Sequence, residues 1–326
     1  MTNLEQAPPE LECASVTSGV EVLTPRDVPL GGPRAMTVRR TLPQRARSFI
    51  GAFCFADHYG PDDVSVTGGM DVPPHPHTGL QTVSWLFSGE IEHRDSLGTH
   101  ALVRPGEMNL MTAGRGIAHS ETSTAATTVL HGVQLWTLLP AAARGTAPAF
   151  DHHVPPVVAP DGAPGVELRV FLGSLAGTTS PVRTFSPLVG AEVRIPAGGS
   201  LELDLDPAFE HGLLVDAGTL EVAGRVVLPG ELGYLPPAGA PSRVRLAAQS
   251  GTDLRLLLLG GEPLGERVVM WWNFIGTDHD EVVAAREQWQ AEVAGSPAGR
   301  FGAVPGYPGD PLPAPVLPGT RLLPRG

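Results

Sequence analysis

The chain has 326 residues, 42% of them hydrophobic, and a formal charge of −12; every fixed basic charge is arginine, because no lysine occurs. That length admits two domains of ordinary size, each with its own core. An acidic chain without a nucleic-acid motif does not suit a phosphate-tracking surface, and no apolar run is long enough to cross a bilayer.

The opening MTNLEQAPPELECAS lacks a basic end followed by an apolar run, so no secretory signal is expected. Cys13 and Cys54 are too few for a disulfide framework. Cys54, inside FIGAFCFAD, reads as a small buried hydrophobe in a reducing cytoplasm. Strand-like runs follow: SFIGAFCF, TVSWLFSG, THALV, MNLM and TTVLHGVQLWTLL. Residues 140–165 lack periodicity and predict a connection or covering loop. A second strand series begins at VELRVFLG and runs through EVRI, SLELDL, HGLLVDAG, TLEVAG, LGYL, SRVRLAA and DLRLLLLG. With forty glycines and 34 prolines spread between them, these runs predict an all-β chain of sandwich or small-barrel domains. One helix is expected near Asp278 to Ala294, where DHDEVVAAREQWQAEVA has an acidic start and good helix formers. The proline-rich end predicts an extended tail.

The two series echo each other. VRPGEMNLMTAG at 103–114 and VLPGELGYLPPAG at 227–239 both carry a strand into a Pro-Gly turn, a glutamate, and a second strand ending at Ala-Gly. The echo predicts two related halves.

Nine of the eleven histidines lie between His58 and His153, so the chemistry collects in the first half. In DVPPHPHTG, His75 and His77 are two positions apart, on one side of a strand stiffened by Pro74 and Pro76. In MTAGRGIAHSET, His119 and Glu121 repeat that spacing. If the two strands face each other, three nitrogens and one carboxylate converge. That set suits iron(II) or another divalent transition metal and leaves open positions on an octahedral ion. A bare HxH is weak on its own, and packed or solvated histidines are the plain alternative. Strand alternation turns Ser120 away, which argues against a hydrolytic triad.

HPHTGLQTVSWLFSGEIEHRDSLG, followed by PGEMNLMTAGRGIAHSE and, near the end, WWNFIGTDHDEVVAAREQWQ, resembles the pirin family of bicupins. The resemblance implies two consecutive cupin-type β-barrels with a C-terminal helix and extended tail. It places a metal-binding domain at 20–145, a second domain without a metal site at 160–305, and a tail at 306–326. It also implies that His75, His77, His119 and Glu121 hold the metal, usually iron, with Glu121 as the catalytic carboxylate. Family members include proteins that open quercetin with dioxygen and a nuclear coregulator. The leading expectation is therefore a metal-dependent dioxygenase acting on a small aromatic substrate such as a flavonol. The alternative is an iron-dependent, redox-responsive regulator that binds a protein partner without turnover, and a structural zinc scaffold is a third reading.

One departure from the family stands out: Gln81 occupies the place where pirins commonly carry glutamate. It keeps hydrogen-bonding capacity but cannot act as a base. In the second half, APSRVRL lacks any counterpart of His119 and Glu121, so that half is expected to be support. Other candidates are His93 with Asp95 on one strand face, Gln134 beside Trp136 in a pocket, and His58 with Tyr59 at a cavity rim. Arg115 is expected to hold a loop, and His152 and His153 to be solvated.

Overall fold

The structure is a computed structural model and describes residues 19–29, 36–239, 242–297 and 299–326; Cys13 and the opening segment lie outside them. The described chain is mostly antiparallel β-sheet with one long C-terminal helix. In the first half a seven-stranded sheet runs, in order, Ala149–His153, Met108–Thr112, Leu80–Ser88, Val129–Leu138, Phe53–Asp63, Thr37–Leu42 and Arg26–Pro29. A four-stranded sheet comprises Asp71–His77, Ile117–Ser123, Ile91–Asp95 and His100–Val103.

The second half repeats this order with one strand fewer, lacking a counterpart of Arg26–Pro29. Its six-stranded sheet runs Glu21–Leu23, Leu232–Leu235, Glu210–Ala217, Leu254–Gly261, Leu188–Ile195 and Glu167–Leu172. Its four-stranded sheet runs Ser200–Leu205, Ser242–Ala248, Leu220–Val222 and Arg225–Val227. The two Pro-Gly turns of the sequence echo lead into Met108–Thr112 and Leu232–Leu235, which hold equivalent places. Two segments depart from the order along the chain. Glu21–Leu23 pairs with Leu232–Leu235 of the second half, and Ala149–His153, inside the stretch expected to be a loop, forms an edge strand on Met108–Thr112. AFDHH lacks apolar alternation because only its backbone is needed at an edge; pairing there is main-chain chemistry.

One hydrophobic cluster spans both halves, and a second lies almost wholly within the second half. Trp85 stacks on Phe171, with ring centroids 4.7 Å apart, and donates its indole N–H to Glu192 Oε2 at 2.7 Å. Gly51, at φ 53°, sits so close to Gly261 that a Cβ would fall 2.6 Å from its Cα, so the contact requires glycine. Truncating a core tryptophan such as Trp85 costs about 3–5 kcal/mol, and this one seals both halves at once.

The helix His279–Val293 is capped by Asp278, whose carboxylate accepts from the N–H groups of Asp280 and Glu281. It buries Val282, Ala285 and Trp289 against the aromatic cluster Trp271, Trp272, Phe274 and Phe301. From Phe301 on, the tail is extended chain with neither helix nor long strand. It lies along the outside of the strand Asp71–His77: Leu312 N–H donates to the Pro74 carbonyl at 2.8 Å, and the Tyr307 hydroxyl to Asp71 Oδ1 at 2.8 Å. No described helix is long and apolar enough to cross a membrane.

Candidate metal centre

His75 and His77 come from one strand and His119 from its antiparallel neighbour, with His119 directly opposite His75. One donor atom from each of the three rings lies within 4.8 Å of the others, and all three side chains are fully buried. Between His119 and Glu121 the register shifts: His119 faces His75, but Glu121 faces Val72. The bulge falls at Pro73 and Pro74, which have no N–H to give a ladder, so the sequence itself marks where pairing is interrupted. As a result Glu121 is buried beside the trio but is not grouped with it at that 4.8 Å spacing.

The nitrogens suit a cation. His75 Nδ1 lies 2.8 Å from the Pro73 carbonyl, which can only accept, so the proton sits on Nδ1 and Nε2 is the ring's basic nitrogen. Neither ring nitrogen of His77 has a hydrogen-bond partner, and nor does His119 Nε2. Burial holds all three pKa values well below the ordinary imidazole range, with the neighbouring histidines adding to the effect for His77 and His119. Three buried neutral imidazoles with donor atoms drawn together, two of them with unpartnered nitrogens, are a donor set that a divalent transition metal takes.

The sheet opposite completes the interior. Phe55, Asp57 and Tyr59 share a face with Gln134 and Trp136, their cross-strand partners being Trp136 for Phe55 and Gln134 for Asp57. Trp136 meets His77 edge to face at 5.0 Å and stacks on Phe55 at 4.1 Å. Ser84 Oγ lies 2.9 Å from Gln134 Oε1 and 3.3 Å from Glu121 Oε1, joining the amide to the carboxylate. The Gln134 amide nitrogen, the Trp136 indole nitrogen and the Tyr59 hydroxyl are buried without partners. A fully buried ion pair, Arg40 with Asp57 at 2.7 and 2.8 Å, lies on the same wall.

Gln134 and Trp136 share a buried strand face, with Trp136 packed between Phe55 and His77, and His93 and Asp95 do share a face, 3.3 Å apart and buried rather than solvated. His58 and Tyr59 are not a rim: both are fully buried, and as neighbours on a strand they face opposite ways. Tyr59 turns into the first-half interior, while His58 turns to the second half. Gln81 also faces away from the imidazoles, on the side opposite Trp136's neighbour Thr82; its amide donates to Thr112 Oγ1 at 2.9 Å and accepts from Thr137. Arg115 is exposed, and its carbonyl is held by Arg300. His152 is half-exposed but bonded to Asn109 at 2.7 Å.

A second buried cluster capable, by donor type, of holding a divalent cation consists of His58, His131 and Asp216. Sequence reasoning missed Asp216, which lies in the other half and has no local motif. His58 and His131 Nε2 lie 2.7 and 2.6 Å from Asp216 Oδ1, hydrogen-bond lengths, while Arg255 engages Asp216 Oδ2 at 2.5 Å. Arg39 stands 3.4 Å from His58 Nε2. One guanidinium on the carboxylate and another beside His58 oppose a further cation, so the contacts favour an interdomain hydrogen-bond hub.

In the second half the equivalents of the ligand strands are SLELDL and SRVRLAA. Leu201 pairs with Leu246 and Leu203 with Val244, and the leucines fill an apolar core where the first half has imidazoles.

Two repeated pairs of antiparallel sheets, one with a buried histidine trio and one filled with leucine, define a cupin-like double-domain protein with a single polar interior. Family models agree: residues 35–137 match Pirin and residues 190–295 match the Pirin C-terminal cupin domain. The chain is 36% identical to a pirin-like protein of Caulobacter vibrioides, over 78% of this chain and 88% of that one. It is 44% identical to PA1205 of Pseudomonas aeruginosa, provisionally named a quercetin 2,3-dioxygenase, over 91% of this chain and 90% of that one. A crystal structure of quercetin 2,3-dioxygenase from Acinetobacter baumannii superposes with TM-score 0.84 at 38% identity, covering 92% of this chain and 96% of that one. The chain belongs to the pirin family.

Proposed function

We propose that this protein is a metal-dependent dioxygenase that opens quercetin or a related flavonol with dioxygen, using iron(II) held by His75, His77, His119 and Glu121. The observation that carries the reading is the trio of fully buried neutral imidazoles with unpartnered nitrogens on His77 and His119. The likeness to proteins named as quercetin dioxygenases supports the substrate class. The sheet pairs support two consecutive cupin-type barrels, 20–145 and 160–305, with the strand Glu21–Leu23 added to the second and 306–326 as tail. The fully buried free thiol of Cys54 supports a reducing, cytoplasmic setting.

A bound iron(II) would acidify a coordinated substrate hydroxyl and supply the electrons that engage dioxygen. The chain's own residues do the rest. Glu121 accepts the hydroxyl proton, and the Ser84 hydroxyl has one proton to donate between the Glu121 carboxylate at 3.3 Å and the Gln134 carbonyl oxygen at 2.9 Å. The Gln134 amide N–H and the Trp136 indole N–H, both without protein partners, are donors for substrate oxygens. Phe55 and Trp136 offer aromatic surface and keep the interior dry.

The test loads metal-free protein anaerobically with iron(II), then adds quercetin and oxygen and follows quercetin loss and carbon monoxide release. Turnover that disappears in His119→Ala together with bound iron, and in Glu121→Gln with iron retained, is the expected pattern. Full iron occupancy without quercetin consumption would overturn the proposal.

A further inference from the structure

The three imidazoles are supported unequally, and the difference assigns a role to two residues outside the ligand set. His75 is fixed by a backbone carbonyl, and His77 has no partner on either nitrogen. His119 Nδ1 instead lies 3.4 Å from His93 Nδ1, and His93 Nε2 lies 3.3 Å from Asp95 Oδ2. Asp95 is fully buried, and its other oxygen, Oδ1, accepts the backbone N–H groups of Leu97 at 2.9 Å and Thr99 at 3.0 Å. The turn encoded by HRDSLG therefore fixes the carboxylate as an acceptor.

We infer that Asp95 and His93 form a hydrogen-bond relay that sets the tautomer of His119. The polarity follows from the donor inventory. A carboxylate only accepts, so His93 carries its proton on Nε2; its Nδ1 then has a lone pair and accepts from His119 Nδ1–H. His119 Nε2 is left deprotonated, and it is the nitrogen without any partner. His93 is itself packed against the Phe150 ring at 4.9 Å, which holds it in line. His93 and Asp95 are positioning residues: they touch neither substrate nor metal, but present one ligand in its binding form and strengthen its donation. The inference rests on the proposed metal-binding role of His119.

Asp95→Asn tests the polarity while sparing the fold. The two backbone N–H groups still require an oxygen at their end of the side chain, so the amide NH2 must face His93. That reverses every bond: His93 donates from Nδ1, and His119 is driven to carry its proton on Nε2. Nitrogen-15 NMR of histidine-labelled, metal-free protein reads the tautomers directly. The wild type is expected to show His119 protonated on Nδ1 and Asp95→Asn to show it on Nε2, with zinc affinity, measured by chelator competition, falling about 10–100-fold. His93→Leu, which removes the acceptor, should weaken zinc binding similarly. An Nε2-protonated His119 in the wild type overturns the relay, and so does unchanged zinc affinity in a folded Asp95→Asn protein. The wild-type spectrum decides alone if the variant does not fold. A wild type with the expected tautomer but no zinc or iron binding would sink the metal reading and leave the relay standing.

Discussion

His58 Nε2 lies 2.7 Å from Asp216 Oδ1, a contact between residues 158 positions apart, one from each half of the chain. The same oxygen receives His131, and Arg255 takes the other. Removing the carboxylate leaves two imidazoles and a guanidinium without their shared acceptor. Asp216→Ala is expected to lower stability by about 3–5 kcal/mol, read as a drop in the urea midpoint with unchanged slope. An unchanged midpoint would mean that the hub contributes nothing to holding the halves together.

Metal-free protein should lose stability on mild acidification. Burial lowers the His211 pKa to about 4 and also lowers that of His58, whose bond to Asp216 only partly offsets the effect. In the unfolded chain both titrate near 6.5. Because the folded pKa is the lower one, the unfolded state binds protons first. The stability is complete above about pH 6.5 and is lost as pH falls toward the folded value, at about 1.4 kcal/mol per pH unit for each such histidine. Urea titrations at pH 7.5 and pH 5 measure the difference, and His211→Gln should reduce it. Asp216 has a depressed pKa, so its contribution persists to lower pH and is lost only under stronger acid. Equal stability at the two pH values would show that these histidines are not held neutral.

Trp136 touches the His77 ring at 5.0 Å, which makes it an internal reporter of the metal centre. Adding copper(II) to metal-free protein should quench part of the tryptophan emission. The quenched fraction should vanish in Trp136→Phe, where Trp85, Trp271, Trp272 and Trp289 remain, and also in His77→Ala. Quenching that survives in His77→Ala would place the ion elsewhere.

Gln81→Glu introduces the carboxylate that the family resemblance of the sequence leads one to expect at that position. Since the side chain faces Thr112 and Thr137 rather than the imidazoles, iron affinity and the Trp136 signal are expected to stay as in the wild type. Its effect should appear as a stability change from a buried carboxylate among hydroxyls. A marked gain or loss of metal affinity would show that this wall communicates with the centre.

Much of this protein is determined locally. Alternation along DVPPHPH and IAHSETS puts His75 with His77 and His119 with Glu121, because a strand repeats every two residues whatever surrounds it. The Pro-Gly echo marks the repeated topology, and Asp278 marks the start of the helix. What needed the tertiary structure is everything that depends on which strands become neighbours. The shift at Pro73 and Pro74 sets where Glu121 lies relative to the imidazole trio, and the opposite facing of Gln81 and Trp136 shows only once their strands are paired in register. Asp216 has no motif, and it joins His58 and His131 only because folding brings the second half against the first. Periodicity fixes which way a side chain points; packing alone decides what it meets.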